Sequence, residues 1–218
     1  MNLIWMATTW VIPLLLCVIL HEVAHGWVAL KLGDRTALVM GRLTLNPKDH
    51  IDPVGSVLVP GLLLLLNTRI LFGWAKPVPI DYRNLKHPKK DMGLIALAGP
   101  VANVLLAFAF GISAAILGRI LPETTIGIWI MHNLINGIEL SVALALFNLL
   151  PVLPLDGGRL LVSLLPLKQS IAFQKTEHYG MFILIGLLFV LPAIGLNVVG
   201  WFMRALSPLI LGPIQAML

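Results

Sequence analysis

The stretch LLLCVILHEVAHGWVAL, residues 14–30, places two histidines and a glutamate at the end of an apolar run. The run is long enough to enter a membrane, where ionisable side chains are costly and usually mark a functional site. His21 and His25 are four residues apart, so on a helix both imidazoles lie on one face, one turn apart. Two imidazoles placed in this way can bind one zinc ion together with a water, and Glu22 beside them can act on that water as general base.

The composition predicts an integral membrane protein. Hydrophobic residues make up 58% of the 218 residues and charged residues only 11%, whereas soluble domains have about 25% charged residues. The formal charge is +5, but no basic stripe is interleaved with aromatic residues, so nucleic acid is not an expected partner. In a membrane protein the basic residues are expected on the cytoplasmic side. The single cysteine, Cys17, cannot form an internal disulfide.

The order of apolar segments predicts an all-α polytopic membrane protein that forms one domain over residues 1–218. We expect about five or six transmembrane or re-entrant segments in the lipid bilayer, because a spanning helix needs about 20 residues. A small membrane-embedded β-hairpin is expected near 35–53, where β-branched and polar residues mix. The predicted segments are 3–33, 54–72, 92–118, 126–150 and 179–211, the last being one tilted helix or two pieces broken near Pro192.

The segment 54–72 carries basic residues on both flanks, which the positive-inside rule assigns to the cytoplasmic side. A segment that enters and leaves on one face is re-entrant, and Pro60-Gly61 is where it could turn. The alternative is that segment 54–72 is an ordinary transmembrane span, because it is long enough to cross the bilayer. In the re-entrant interpretation, HEVAH lies toward the cytoplasmic face.

A catalytic zinc site needs a third protein ligand and one position left open for water. Asp156, in PLDGGR, is the best candidate, since it follows a predicted span on the same side as HEVAH. From the residues alone, an Asp-Gly turn at a helix start explains Asp156 equally well. His50 and Asp52 are weaker candidates that could equally be surface turn residues. His132 lies inside a predicted span, where a histidine is more often a hydrogen-bonded core residue than a metal ligand.

Three motifs together resemble the signature of the site-2 protease family of intramembrane zinc metalloproteases. They are HEVAH at 21–25, AGPVAN at 98–103 and NLLPVLPLDGGR at 148–159. FGWAKPVPID at 72–81 is similar to a stretch typical of a short bacterial and archaeal branch. No PDZ or CBS regulatory domain is recognised in the sequence. The resemblance implies a multi-pass protein of the plasma membrane that cleaves transmembrane helices of protein substrates.

The resemblance also implies roles for individual residues. His21, His25 and Asp156 would bind zinc, and Glu22 would activate water. Asn148 would hold the substrate backbone or stabilise the oxyanion, and Asn103 would be a neighbour of the active site. The segment 37–46 is similar to a hairpin thought to pair with substrate.

A zinc-binding membrane protein without proteolytic activity, such as a metal transporter, is the alternative from another class. A transporter should carry several ionisable residues inside its spans to pass the ion along. Apart from the motifs at their ends, the predicted helices contain only His132 and Glu139. The sequence does not indicate an oligomeric state.

Overall fold

The structure is a computed structural model that describes residues 3–65 and 73–218, most of which are in helices. Tighter and wider helical turns link several of these helices, so that some neighbours form one continuous rod. The helices of the described part are α1 Leu3–Lys31, α2 Thr36–Val39, α3 Val59–Leu65, α4 Pro88–Ile120, α5 Thr125–Asn148, α6 Asp156–Leu164, α7 Leu167–Gln174, α8 Gly180–Ile185, α9 Leu191–Ala193 and α10 Val198–Gln215.

Among residues 3–65 and 73–218, five helical rods are long and apolar enough to cross a membrane, by length and composition. This confirms the prediction of a multi-pass helical membrane protein, including the spans predicted at 92–118 and 126–150. The five are Ile4–Lys31, Pro88–Ile120, Thr125–Asn148, Leu167–Ala193 and Val198–Gln215. The region predicted at 179–211 is therefore two pieces, which separate just after Pro192 at Gly195, a glycine with φ +87°.

The helices α1, α4 and α5 pack against one another and form the centre of the molecule. Where α4 and α5 meet α10, the buried side chains form an apolar core of Ala107, Ile138, Val142, Leu146 and Ile214. A second buried cluster, made by Ala29, Leu85 and Ile95, joins the end of α1 to the first third of α4. This second contact fixes the histidine-bearing end of α1 against α4.

The β-hairpin predicted near 35–53 is wrong: no strand forms anywhere in residues 3–65 or 73–218. The short helix α2 occupies its beginning, because the Asp34 carboxylate accepts the backbone N–H of Thr36 and starts a helical turn. The turn then closes on itself, since the N–H of Arg42 donates to the carbonyl of Ala37 at 2.8 Å. Backbone groups used within one turn are not free to pair across strands.

Consequently, residues 37–46 present no strand edge to a substrate, and the role implied for them is withdrawn. Gly41, with φ +66°, ends the helical turn rather than shaping a hairpin. Only residues with little steric hindrance adopt that left-handed backbone readily.

The segment 54–72 begins with a wide helical turn, Pro53–Leu58, that continues directly into α3. Pro60 and Gly61 lie inside this helix, so the chain does not turn there as predicted. Residues 66–72 lie outside the described residues. Both ends of the segment nevertheless meet, because the N–H of Trp74 donates to the carbonyl of Gly55 at 3.1 Å. The chain therefore returns to the end of the molecule from which it left, as the re-entrant interpretation predicts.

Candidate metal centre

Two helices bring the predicted metal ligands to one buried place. His21 and His25 lie on one face of α1, and Asp156 is the first residue of α6. All three residues are buried, with 7%, 7% and 8% of their surface exposed. One ligand atom from each lies within 4.8 Å of the others. The two distant parts of the sequence therefore converge, as the resemblance implied.

The triangle formed by the three ligand atoms is close to, and slightly smaller than, the size expected around a zinc ion. His21 Nε2 lies 3.1 Å from His25 Nε2, and Asp156 Oδ2 lies 3.1 and 3.3 Å from these two nitrogens. Ligands at about 2.0–2.2 Å from a tetrahedral ion are separated by about 3.3–3.6 Å. The donor set of two imidazoles and one carboxylate is one that zinc accepts. These side chains therefore fit a zinc ion and leave a fourth corner for another ligand.

The tautomer of His25 favours metal binding. Its Nδ1 lies 2.7 Å from the backbone carbonyl of Ile95, which can only accept a hydrogen bond. The proton must therefore sit on Nδ1, and Nε2 points its lone pair toward His21 and Asp156. Asp156 Oδ2 is buried there without a hydrogen-bond donor. Acceptor atoms facing one another in a buried site repel unless a cation lies between them.

Asn103 supports His21 from the side. This residue is fully buried on α4, and its amide lies 3.1 Å from His21 Nδ1. The amide oxygen of Asn103 is buried without a partner. The two ends of an amide are assigned from their hydrogen bonds, and with the oxygen toward His21 it would accept a hydrogen bond from Nδ1–H. That orientation satisfies the oxygen and leaves His21 Nε2 free for a metal.

Gly99 gives the site its space. The backbone of α4 passes so close to the imidazoles that a Cβ at Gly99 would lie 2.4 Å from His25 Nε2 and 2.6 Å from His21 Nε2. A methyl group would thus compete for the region that both ligand nitrogens face. The pair Gly99-Pro100 belongs to the AGPVAN motif, but the sequence alone did not reveal this close approach.

Glu22 lies next to the first histidine, and its carboxylate reaches the loop between α3 and α4. The backbone N–H of Val78 donates to Glu22 Oε2 at 2.9 Å. Val78 is buried between two prolines in the sequence KPVPID. The proline-rich loop therefore contacts α1 at Glu22, the residue after His21, and the sequence did not predict this contact.

Asn148 lies on α5, whereas the other predicted site residues lie on α1, α4 and α6. It is the last residue of α5, and its amide donates to the carbonyl of Leu144 in the same helix at 3.0 Å. The role predicted for Asn148 stays a prediction.

The weaker metal candidates have structural roles. His50 Nε2 contacts the carbonyl of Thr44 at 2.8 Å, and Asp52 accepts the N–H groups of Val54 and Gly55 at the start of a helical turn. His132 contacts the ring of Trp5 edge to face. The structure groups none of these three with the ligands at α1 and α6.

The glycines after Asp156 act through packing rather than through a special turn. Gly157 and Gly158 lie in the first turn of α6. A Cβ at Gly157 would lie 2.2 Å from the carbonyl oxygen of Leu149, and one at Gly158 would lie 2.6 Å from the nitrogen of Leu153. Two residues without side chains thus let α6 press against the end of α5, which places the Asp156 carboxylate.

Comparison with known proteins points to one family. The sequence profile of peptidase family M50 matches residues 120–191. YwhC of Bacillus subtilis, provisionally named a zinc metalloprotease, is 39% identical over 192 residues, which cover 84% of this chain and 80% of YwhC. Rip2 of Mycolicibacterium smegmatis, named in the same way, is 29% identical over 86% of this chain and 70% of its own length. No solved structure matches the chain significantly.

Proposed function

Because this chain belongs to peptidase family M50, the site-2 protease family, and is a metalloprotease, we propose that it hydrolyses peptide bonds within transmembrane segments of protein substrates. The observation that carries the proposal is the buried triangle of His21, His25 and Asp156. The triangle lies among helices that are long and apolar enough to span a bilayer. A peptide bond must reach this depth to be cut.

His21, His25 and Asp156 would hold a single zinc ion. When bound, zinc supplies a Lewis acid that polarises the substrate carbonyl and lowers the pKa of water at its open position to about 7. Ile95 and Asn103 would keep the two imidazoles in the tautomer that ligation requires.

Glu22 would move the proton. The carboxylate accepts a proton from the attacking water as its oxygen adds to the peptide carbonyl carbon. The same proton then passes to the amide nitrogen, so the C–N bond breaks and a neutral amine leaves. The hydrogen bond from Val78 to Oε2 would hold the carboxylate in place during both transfers.

Asn148 would donate a hydrogen bond to the substrate carbonyl oxygen as negative charge develops on it. For this the amide must release the carbonyl of Leu144, to which it donates at the end of α5. The exchange is local, because the carbonyl of Leu144 keeps the helical hydrogen bond from the backbone N–H four residues further on when the side chain leaves.

The substrate helix must unwind locally before cleavage, because each of its carbonyls is already hydrogen-bonded within the membrane. Water would reach the site from the end of the molecule where the basic loops lie, which the positive-inside rule assigns to the cytoplasm. We therefore place the protein in the plasma membrane of a bacterium or archaeon, with its active site toward the cytoplasm.

The test uses the Glu22→Gln variant and a matched control, Glu123→Gln, which changes an exposed carboxylate before α5. Each protein is reconstituted in liposomes with a mixture of single-span membrane proteins, and new chain termini are identified by mass spectrometry. Wild type and Glu123→Gln should create termini inside the apolar segments, whereas Glu22→Gln should keep its zinc and create none. Termini confined to soluble regions, or equal cleavage by Glu22→Gln, would contradict the proposal.

A further inference from the structure

A cavity of about 560 Å³ opens between the first turns of α4 and the end of α6. It is separate from the metal-ligand candidates: His21 and His25 lie on α1 against Gly99, one to two turns further along α4, and Asp156 lies at the other end of α6. Its walls divide into two chemical types. Lysine side chains line one part, and leucine side chains line the other: Lys86, Lys89 and Lys90 against Leu94, Leu160 and Leu164.

The lysines carry positive charge that the neighbouring acidic residue does not neutralise fully. Lys86, Lys89 and Lys90 are all exposed. Asp91 is adjacent in sequence but buried, and its Oδ2 accepts the backbone N–H of His87 at 2.9 Å. That carboxylate closes the first turn of α4 and is the single acidic group beside three lysines in the sequence 86–91, so the cavity carries a net positive charge that favours an anion.

The position of the cavity along α4 places it at a membrane surface. The helix has 33 residues, which corresponds to about 50 Å, whereas the hydrocarbon core of a bilayer is about 30 Å thick. The first turn of α4, with Lys89 and Lys90, therefore extends among the lipid headgroups. Leu94 and Leu164, which are 45% and 71% exposed, present apolar surface beside these lysines.

Direct contacts between the two helices hold the walls of the cavity together. The Lys89 ammonium donates to the backbone carbonyl of Leu165, just past the end of α6. A Cβ at Gly93 would lie 2.2 Å from Ser163 Oγ, so the Ser163 side chain of α6 lies directly against the backbone of α4. The cavity is thus a cleft between two packed helices.

We infer that this cleft binds an anionic phospholipid, with its phosphate at Lys86 and Lys90 and the start of an acyl chain along Leu94, Leu160 and Leu164. Basic clefts between membrane helices on the cytoplasmic side are typical sites for anionic lipid headgroups. The occupant must have a charged part and an apolar part. A purely charged or purely apolar ligand would leave either the leucines or the lysines without a complementary contact. The inference does not depend on the proteolytic activity.

The experiment measures the lipid that the intact protein retains. Wild type is purified in detergent containing equal amounts of phosphatidylglycerol and phosphatidylcholine, and bound lipids are counted by native mass spectrometry. The variant Lys86→Gln/Lys90→Gln removes two charges from the cleft. The matched control Lys168→Gln/Lys175→Gln removes two charges from exposed lysines beyond α6. Leu160→Gln/Leu164→Gln tests the apolar wall, and zinc content and circular dichroism verify that every variant is folded.

Wild type and the control should retain phosphatidylglycerol at least fivefold over phosphatidylcholine, and both cleft variants should lose this preference. Glycerol phosphate, a soluble headgroup without acyl chains, should not displace the bound lipid. Equal retention of the two lipids by wild type, or an unchanged preference in Lys86→Gln/Lys90→Gln, would overturn the inference. Displacement by glycerol phosphate would indicate a site for free phosphate, and displacement by a polyglutamate peptide would indicate a site for acidic protein segments; either result would also overturn it.

Discussion

The backbone of Gly99 lies directly against the imidazole of His25, so that a Cβ there would stand 2.4 Å from Nε2. The space that a side chain would fill is the space that a metal ion needs. The helix α4 thus forms one wall of the candidate metal centre with its main chain, although it supplies no metal ligand.

Gly99→Ala should therefore remove the metal. The added methyl group would occupy the region faced by His21 Nε2 and His25 Nε2 and would push the two rings apart. Zinc content, measured by mass spectrometry of the purified protein, should fall from about one ion per chain to less than a tenth. The control is Gly118→Ala on the same helix, where a Cβ meets its nearest neighbour, Met131 Cε, at an ordinary 3.5 Å. Full zinc content in Gly99→Ala would refute this account.

Asn103→Ala should weaken zinc binding without abolishing it. The amide orients His21 through Nδ1, and loss of such a supporting contact typically costs 10–100-fold in metal affinity. Competition with a coloured zinc chelator measures the affinity. Ser113→Ala, which removes a hydroxyl that bonds only within α4 among the described contacts, should bind zinc like wild type. An unaltered affinity in Asn103→Ala would show that His21 does not need this support.

Gly157→Ala should destabilise the protein by several kcal/mol, since its Cβ would collide with the carbonyl of Leu149 at 2.2 Å. Thermal unfolding in detergent measures the effect as a lower midpoint. The matched control is Gly212→Ala in α10, where nothing lies within 4 Å of the new Cβ. That substitution should be neutral or stabilise by about 0.4–1 kcal/mol, because alanine favours helices more than glycine does. Equal midpoints for the two variants would contradict the packing role of Gly157.

Asp34 should make stability depend on pH. Burial alone would raise the pKa of this carboxyl, but hydrogen bonds from Asn84 and Thr36 outweigh burial and hold the pKa below its usual value. A carboxyl with a lowered pKa in the folded state stabilises the protein above its unfolded pKa of about 3.9. This stabilisation disappears as the pH falls through the folded pKa.

Asp34→Asn should accordingly cost about 1–3 kcal/mol at neutral pH, because an NH₂ group would face N–H donors such as that of Asp81. The difference between wild type and variant should shrink as the pH falls below about 4. Unfolding midpoints measured between pH 3 and pH 7 test both statements, with Glu123→Gln as the control at an exposed carboxylate. If the stability difference between wild type and Asp34→Asn instead grows toward low pH, the pKa of Asp34 is not lowered in the folded protein.

The sequence could place two of the three metal-ligand candidates together for a physical reason. The spacing of His21 and His25 fixes their relative position within one helix, so local geometry decides it. Asp156 lies far along the chain, and only the resemblance favoured it over a simple turn. The contacts of Gly99 and Val78 could not be predicted, because they depend on how α4 and the proline-rich loop pass α1.

The predicted β-hairpin does not form, because local hydrogen bonding outweighs residue composition in this segment. The β-branched and leucine residues after position 35 fit a strand, but the Asp34 carboxylate caps a helical turn at Thr36. Side chains of this kind compete with strand pairing for backbone groups. In contrast, the basic residues on both flanks of segment 54–72 predicted that the chain returns to the side from which it left. The hydrogen bond from Trp74 to Gly55 agrees with that prediction.

Zinc K-edge X-ray absorption of the purified wild-type protein tests the central claim most directly, since it reports the atoms around the metal. The account predicts one zinc with two imidazole nitrogens and two oxygens at about 2.0–2.2 Å, one oxygen from Asp156 and one from solvent. In Asp156→Ala the carboxylate oxygen should be lost. A zinc shell that is identical in Asp156→Ala, a sulfur ligand, or wild-type protein that binds no zinc would contradict it.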